Sequence, residues 1–228
     1  MTVNYEIIGH NMQALKVNLK HGERIYSDSG KLVSKTSGIN MTPRLVGGIV
    51  GALKREMGGA SAMLTSFEAK EDGSVSVAGI YPGKVMPVTL AAGQEFVAEQ
   101  AAFLAAEDTV QYTFQTVGLG AAFFGGEGFI LQKFVGPGTV FIHIVGDVVE
   151  HDIDGAPVDI DPGHIAGFDA TLQYKIKFVD NVRTAMFGGV GLFLATFSGK
   201  GKVYAHSVSR FKLAAEIYLE GQQTAHKK

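Results

Sequence analysis

The chain contains no cysteine and no tryptophan. Without cysteine there is no disulfide framework, no thiolate metal site and no thiol nucleophile. Long apolar stretches are missing as well, since no window approaches the roughly 18 apolar residues that a membrane span requires. The N-terminal stretch Met1 to Leu19 alternates polar and apolar residues and lacks the basic start and apolar run of a signal peptide. A formal net charge of −2 and a pI near 6.4 deny the molecule the broad positive field that drives phosphate-backbone binding. No Gly-x-Ser-x-Gly elbow and no Walker loop occurs. The expectation from these absences is a soluble, cytoplasmic protein with no catalytic centre, no cofactor and no strong nucleic-acid signature.

What is present is a chain rich enough to pack. Of its 228 residues, 46% are hydrophobic, 10% aromatic and 18% charged, which is too apolar for disorder. All-β domains commonly reach this length, so residues 1–228 read as one domain. Glycine is abundant, at 30 residues spread along the chain, which favours short strands separated by tight turns.

The glycines recur in register. The 17 residues from Gly125 align without a gap to those from Gly188, an offset of 63, with eight identities. These are Gly125, Gly126, Gly128, Leu131, Phe134, Gly136, Gly138 and Val140, matched by Gly188, Gly189, Gly191, Leu194, Phe197, Gly199, Gly201 and Val203. One or two would be expected by chance, so this is an internal repeat. Glu107 to Tyr112 matches Asp169 to Tyr174, and a fainter copy lies upstream around Gly22 and Gly58-Gly59. Three units are expected, over roughly 10–80, 85–147 and 150–207. Because the Gly-x-Gly precedes a strand and not a helix, it reads as turn geometry and not as a dinucleotide fingerprint.

Two segments break the β pattern. Thr42-Pro43 followed by residues 44–55 reads as a short inserted helix, and residues 209–220, opening at Ser209, read as a C-terminal one. The alanine-rich Val97 to Glu107 would be helical on propensity alone. Its aligned partner, Asp159 to Asp169, contains Asp161-Pro162-Gly163, so both segments are expected to be strand and turn.

Charges are unevenly placed: Asp147 to Asp169 is nearly all acidic, while Lys175, Lys177, Arg183, Lys200, Lys202, Arg210 and Lys212 make the last quarter basic. Asp154-Gly155 signals a hairpin within 147–164. That acidic stretch also holds the candidate metal ligands His151, Asp152, Asp154, Asp161 and His164, flanked by Asp147, Glu150 and Asp159. A mixed His and carboxylate site needs several of these to converge, whereas a solvated hairpin needs none. His143 and His206 occupy equivalent strand positions, 63 apart, so a shared structural role or a pair near a threefold axis is expected. Phe123, Phe124 and Phe129 read as core or subunit interface.

Gly125-Gly126-Glu127-Gly128, Gly136-Pro137-Gly138-Thr139-Val140, Asp161-Pro162-Gly163-His164 and Gly199-Lys200-Gly201-Lys202-Val203-Tyr204 together resemble the motifs of the altered-inheritance-of-mitochondria family, a mitochondrial-biogenesis family. Tyr204-Ala205-His206 departs from it where a Gln or similar polar residue is expected. The resemblance implies a short double-stranded β-helix or barrel-like sandwich similar to the tryptophan RNA-binding attenuation protein. It also implies three pseudo-equivalent units, trimeric or ring-like assembly, and no known reaction. The resulting expectation is an all-β oligomeric scaffold or binding protein. The alternative is a small-molecule or metal-dependent activity near the 147–164 hairpin. Membrane-surface association through Leu45 to Leu53 is a weaker option.

Overall fold

The computed structural model describes residues 3–45, 63–116, 130–178 and 193–225. Its first strands are β1 (Asn4–Ile8), β2 (Ala14–Leu19), β3 (Arg24–Asp28), β4 (Leu32–Lys35), β5 (Ile39–Leu45), β6 (Met63–Ala69) and β7 (Gly73–Ala78). Next come β8 (Gly83–Leu90), β9 (Glu95–Glu99), β10 (Phe103–Glu107), β11 (Gln111–Thr116), β12 (Ile130–Val135) and β13 (Gly138–Val145). The last are β14 (Val148–Asp154), β15 (Val158–Ile160), β16 (Ile165–Asp169), β17 (Gln173–Phe178), β18 (Phe193–Ser198) and β19 (Lys200–His206), followed by one helix, Arg210–Ala225. The fold is all-β with a C-terminal helix, as the sequence implies.

The strands form four antiparallel sheets, ordered β1-β2-β7-β4, β5-β6-β3-β10-β13-β8, β11-β12-β9-β16-β19-β14 and β15-β18-β17. Raising every strand number of the second sheet by six gives the order of the third. A bulge recurs at matching places: between Leu32 and Ser34 against β7, Phe103 and Ala105 against β13, and Ile165 and Gly167 against β19. None of the sheets closes into a barrel, so the expected barrel-like wrap gives way to open sheets packed face to face.

Three apolar cores lie between successive sheets. Leu15, Val17, Val75, Val77, Phe67 and Phe141 fill the first. Tyr26, Phe96, Phe103, Phe134 and Ile142 fill the second, and Phe168, Phe197, Leu131 and Val203 the third. This arrangement explains the sequence patterns. In β2 only one face is covered, so Leu15, Val17 and Leu19 alternate with half-exposed residues. In β13 both faces are covered: Phe141 enters the first core while Val140, Ile142 and Ile144 enter the second. A strand buried on both faces reads as a continuous apolar run. Each Phe so buried stabilises the fold by about 1.5–3 kcal/mol relative to exposure.

Val97 to Glu107 is strand, a single 3-10 turn over Gln100–Ala102, and strand again, despite its alanines. Tertiary pairing with β3, β13, β12 and β16 overrides helix propensity there. The helix expected from Thr42-Pro43 does not start where proposed. Residues Ile39–Leu45 are strand, with Pro43 opposite Thr65. β5 lies at a sheet edge, where the missing proline N–H costs no ladder bond. The rest of that segment, 46–55, falls outside the described residues.

Gly136 and Gly138 carry the chain from the third sheet to the second, and Gly199 and Gly201 from the fourth to the third. Gly138 has φ +135 and a Cβ there would lie 2.7 Å from Thr109 Oγ1, so both backbone conformation and space require glycine. The other turn glycines of the motif, Gly125, Gly126, Gly128, Gly188, Gly189 and Gly191, lie outside the described residues, as do Phe123, Phe124 and Phe129.

Candidate functional site

The acidic stretch is not a hairpin. β14 pairs with β19 in the third sheet, whereas β15 pairs with β18 in the fourth. Gly155, with φ +110, therefore turns the chain between sheets and not back along one. The candidate ligands are parted accordingly. Asp152 stands opposite Lys202 and Asp154 opposite Lys200 on the β14–β19 ladder. Their carboxylates form ion pairs with those lysines at 3.7 and 3.1 Å, and Glu150 also pairs with Lys202. His151 faces Val203 on the same ladder. The acidic and basic segments of the sequence thus neutralise each other across one sheet edge. Among the described residues no group of three or more His, Asp or Glu side chains is placed to hold a metal ion.

Asp161 and His164 belong elsewhere, to a partly buried polar cluster at the ends of several strands. Glu99 ends β9, and its Oε2 accepts a hydrogen bond of 2.9 Å from Ala101 N, capping the 3-10 turn. Asp161 follows β15 and does the same for Gly163 N at 2.9 Å. Each cap also receives a cation from the C-terminal helix: Arg210 donates to Glu99 Oε1 at 2.8 Å and Lys212 to Asp161 Oδ2 at 3.1 Å. Burial pushes the Glu99 carboxyl above its ordinary range, and the Arg210 guanidinium opposes that shift. Lys31, only 7% exposed, is lowered by burial, with Asp28 and Glu99 opposing.

The two equivalent histidines lie here too. His206 Nδ1 accepts a 3.0 Å hydrogen bond from Val145 N, which fixes the neutral tautomer with the proton on Nε2. Its carbonyl accepts a 2.7 Å bond from His164 Nδ1, which must therefore carry a proton. Burial lowers His206 to about 3, with His143 and Arg210 adding to the effect. His143 is lowered to about 4, again by burial first and then by Lys31. Its ring fills the space a Cβ on Gly79 would occupy, 2.3 Å away. Sequence spacing singled out the two histidines, but nothing marked Lys31 or Glu99, and Arg210 stood out only as one of several basic residues near the C-terminus; the Glu99–Arg210 pair spans 111 residues.

Chemically, this cluster braces strand ends and the helix start. Its acceptors and donors point at backbone groups and at each other. A groove of about 660 Å³ elsewhere, lined by Asn4, Asn18, Lys20, Glu23 and Asp72, has its charges matched, with Lys20 2.9 Å from Asp72. No helix among the described residues is long and apolar enough to cross a membrane.

Layered antiparallel sheets with recurring strand order, a glycine-turn motif and a braced polar interior define a class of all-β protein. The profile of the mitochondrial biogenesis AIM24 family matches residues 5–208, and the chain belongs to that family. An uncharacterized protein of Streptococcus pyogenes serotype M6 is 27% identical over 211 residues, covering 89% of this chain and 84% of that one. A crystal structure of a Streptococcus pyogenes protein superposes with a TM-score of 0.81 at 24% identity, covering 96% of this chain and 99% of the other, which establishes a shared fold.

Proposed function

We propose that this chain is a non-catalytic scaffold that assembles with copies of itself. One observation carries the reading. In each inner sheet two three-stranded halves meet at the centre, where β3 pairs with β10 and β9 with β16, whereas among the described residues the corresponding strands β4 and β15 of the outer sheets are edges. Open strand edges are templates for further pairing, and natural proteins cover or block them. The polar cluster supports the same reading, because Glu99, Asp161, Arg210, Lys212 and His206 are committed to capping and bracing. Light scattering or sedimentation of the native protein tests it. A defined oligomer at micromolar concentration is expected; a stable monomer overturns the proposal.

A further inference from the structure

Three carboxylates stand at matching places where strands leave their sheets. On the ladders Phe67 faces Ile25, Phe134 faces Phe96 and Phe197 faces Val158. Counting the same distance on from these partners gives Asp28, Glu99 and Asp161. Beside the first two the sheets are continuous, since β3 is joined to β10 and β9 to β16. Beside Asp161 the sheet stops, because among the described residues β15 is an edge. So is β4, which holds the place of β10 and β16, as the same bulge against its neighbour shows.

At the ends of these two edges lies the start of the C-terminal helix. Lys212 donates to Asp161, the residue after β15, at 3.1 Å, and a Cβ on Gly163 would lie 3.0 Å from Ser209 Oγ and 3.8 Å from the Phe211 ring. Lys31, the residue before β4, is buried, and its carbonyl accepts a 2.9 Å bond from Ala78 N at the end of β7. Glu99 attracts both Lys31 and Arg210, and Arg210 donates to it at 2.8 Å. One turn of helix is thereby tied to both edges and to the covered side. Burial ends with that turn: Ser209 is buried, whereas every residue from Ala214 to Gly221 is exposed. The helix packs no extended face on the body, so its hold on the body is its start.

We propose that this first helical turn is a clasp between the β4 and β15 ends of one chain, standing in for the ladder that joins the corresponding inner strands, and that the molecule opens at this seam when the clasp is released. A ladder must be broken along its length, whereas the clasp hangs on two cations. The Lys212–Asp161 pair is half in water and holds weakly by itself. Arg210 meets a carboxylate only 5% exposed, so its loss leaves a buried charge without its partner and is the more costly of the two. Opening is therefore governed by Arg210 first and Lys212 second.

Backbone amide exchange in the full-length Arg210→Gln and Lys212→Gln chains tests the clasp. Residues 31–35 and 158–164 are expected to exchange at least about tenfold faster in Arg210→Gln than in the native protein, and by a smaller factor in Lys212→Gln, with β3, β9, β10 and β16 unchanged. Because the chain has no cysteine, Val33→Cys and Asp159→Cys in one chain can carry a pair of spin labels. Diluted into unlabelled protein, the pair reads distances within one chain, whether or not chains assemble. Its separation should lengthen and broaden when Arg210→Gln is added. An unchanged distance distribution, or exchange in both variants that rises as much at the inner ladders as at the seam, overturns the clasp.

Discussion

β16 and β4 hold corresponding places in their sheets and have opposite surroundings. Ile165, Ala166, Gly167 and Phe168 are buried beneath β9 and the cores on either side. Leu32, Val33, Ser34 and Lys35 are exposed, Val33 by 62%. Gly167 lets Phe96 lie against the backbone, since a Cβ there would sit 2.6 Å from the ring. The two strands differ in residue type as well as cover: four apolar or small residues where a neighbouring strand and two cores meet, and two apolar followed by two polar residues where water does. The comparison teaches that strand position alone does not make an interior; the adjoining sheet does.

The strongest way to break the covered side is to hollow out the core beneath it. Phe134 packs on Phe103 at 5.0 Å and on Tyr112 at 5.3 Å between centroids. Phe134→Ala is expected to cost about 3–5 kcal/mol, read as a lowered urea midpoint at unchanged slope.

Acid separates the two regions next. His143, within β13, and His206, at the end of β19, lie in the covered sheets and are held neutral, at about 4 and about 3. In the unfolded chain each titrates near 6.5. Between those values the unfolded state binds more protons, so stability rises with pH. It is complete above about pH 6.5 and falls as the solution is acidified toward pH 4 and below. Thermal unfolding across pH 4 to 7.5 should show this loss, and His206→Gln should flatten part of it. A Tm independent of pH over that range would refute the assignment.

The smallest effect sharpens the contrast most directly. Gly167→Ala is expected to destabilise by about 1–3 kcal/mol through overpacking against Phe96. Ser34→Ala, at the corresponding open position, is expected to stay within about 0.5 kcal/mol in the dissociated protein. Equal effects in denaturant titrations would mean that the two places are not distinguished by cover.

Much of this organisation was legible in the sequence because glycine turns and apolar runs are local signals. Phe134 and Phe197, aligned at an offset of 63, do occupy matching ladder positions, opposite Phe96 and Val158. The Asp161-Pro162-Gly163 turn correctly argued against helix in the alanine-rich stretch. What pairs with what was not legible. Asp154-Gly155 looks like a hairpin turn, but the partner of β14 is a strand some fifty residues on, and its lysines meet the carboxylates. Pro43 looked like a helix start because a β-edge that tolerates proline is visible only once the sheet order is known. The Lys31, Glu99 and Arg210 association escaped for the same reason, since each residue comes from a different part of the chain.

The doubly covered strand β13 has a further consequence for how the molecule comes apart. Its alternate side chains belong to two separate cores, with Phe141 in one and Ile142 in the next. A layer cannot melt by itself, because peeling it away strips one face from a strand that the neighbouring layer still needs. Adjacent cores are therefore thermodynamically coupled through a shared wall, and their local opening is linked to that of the body as a whole.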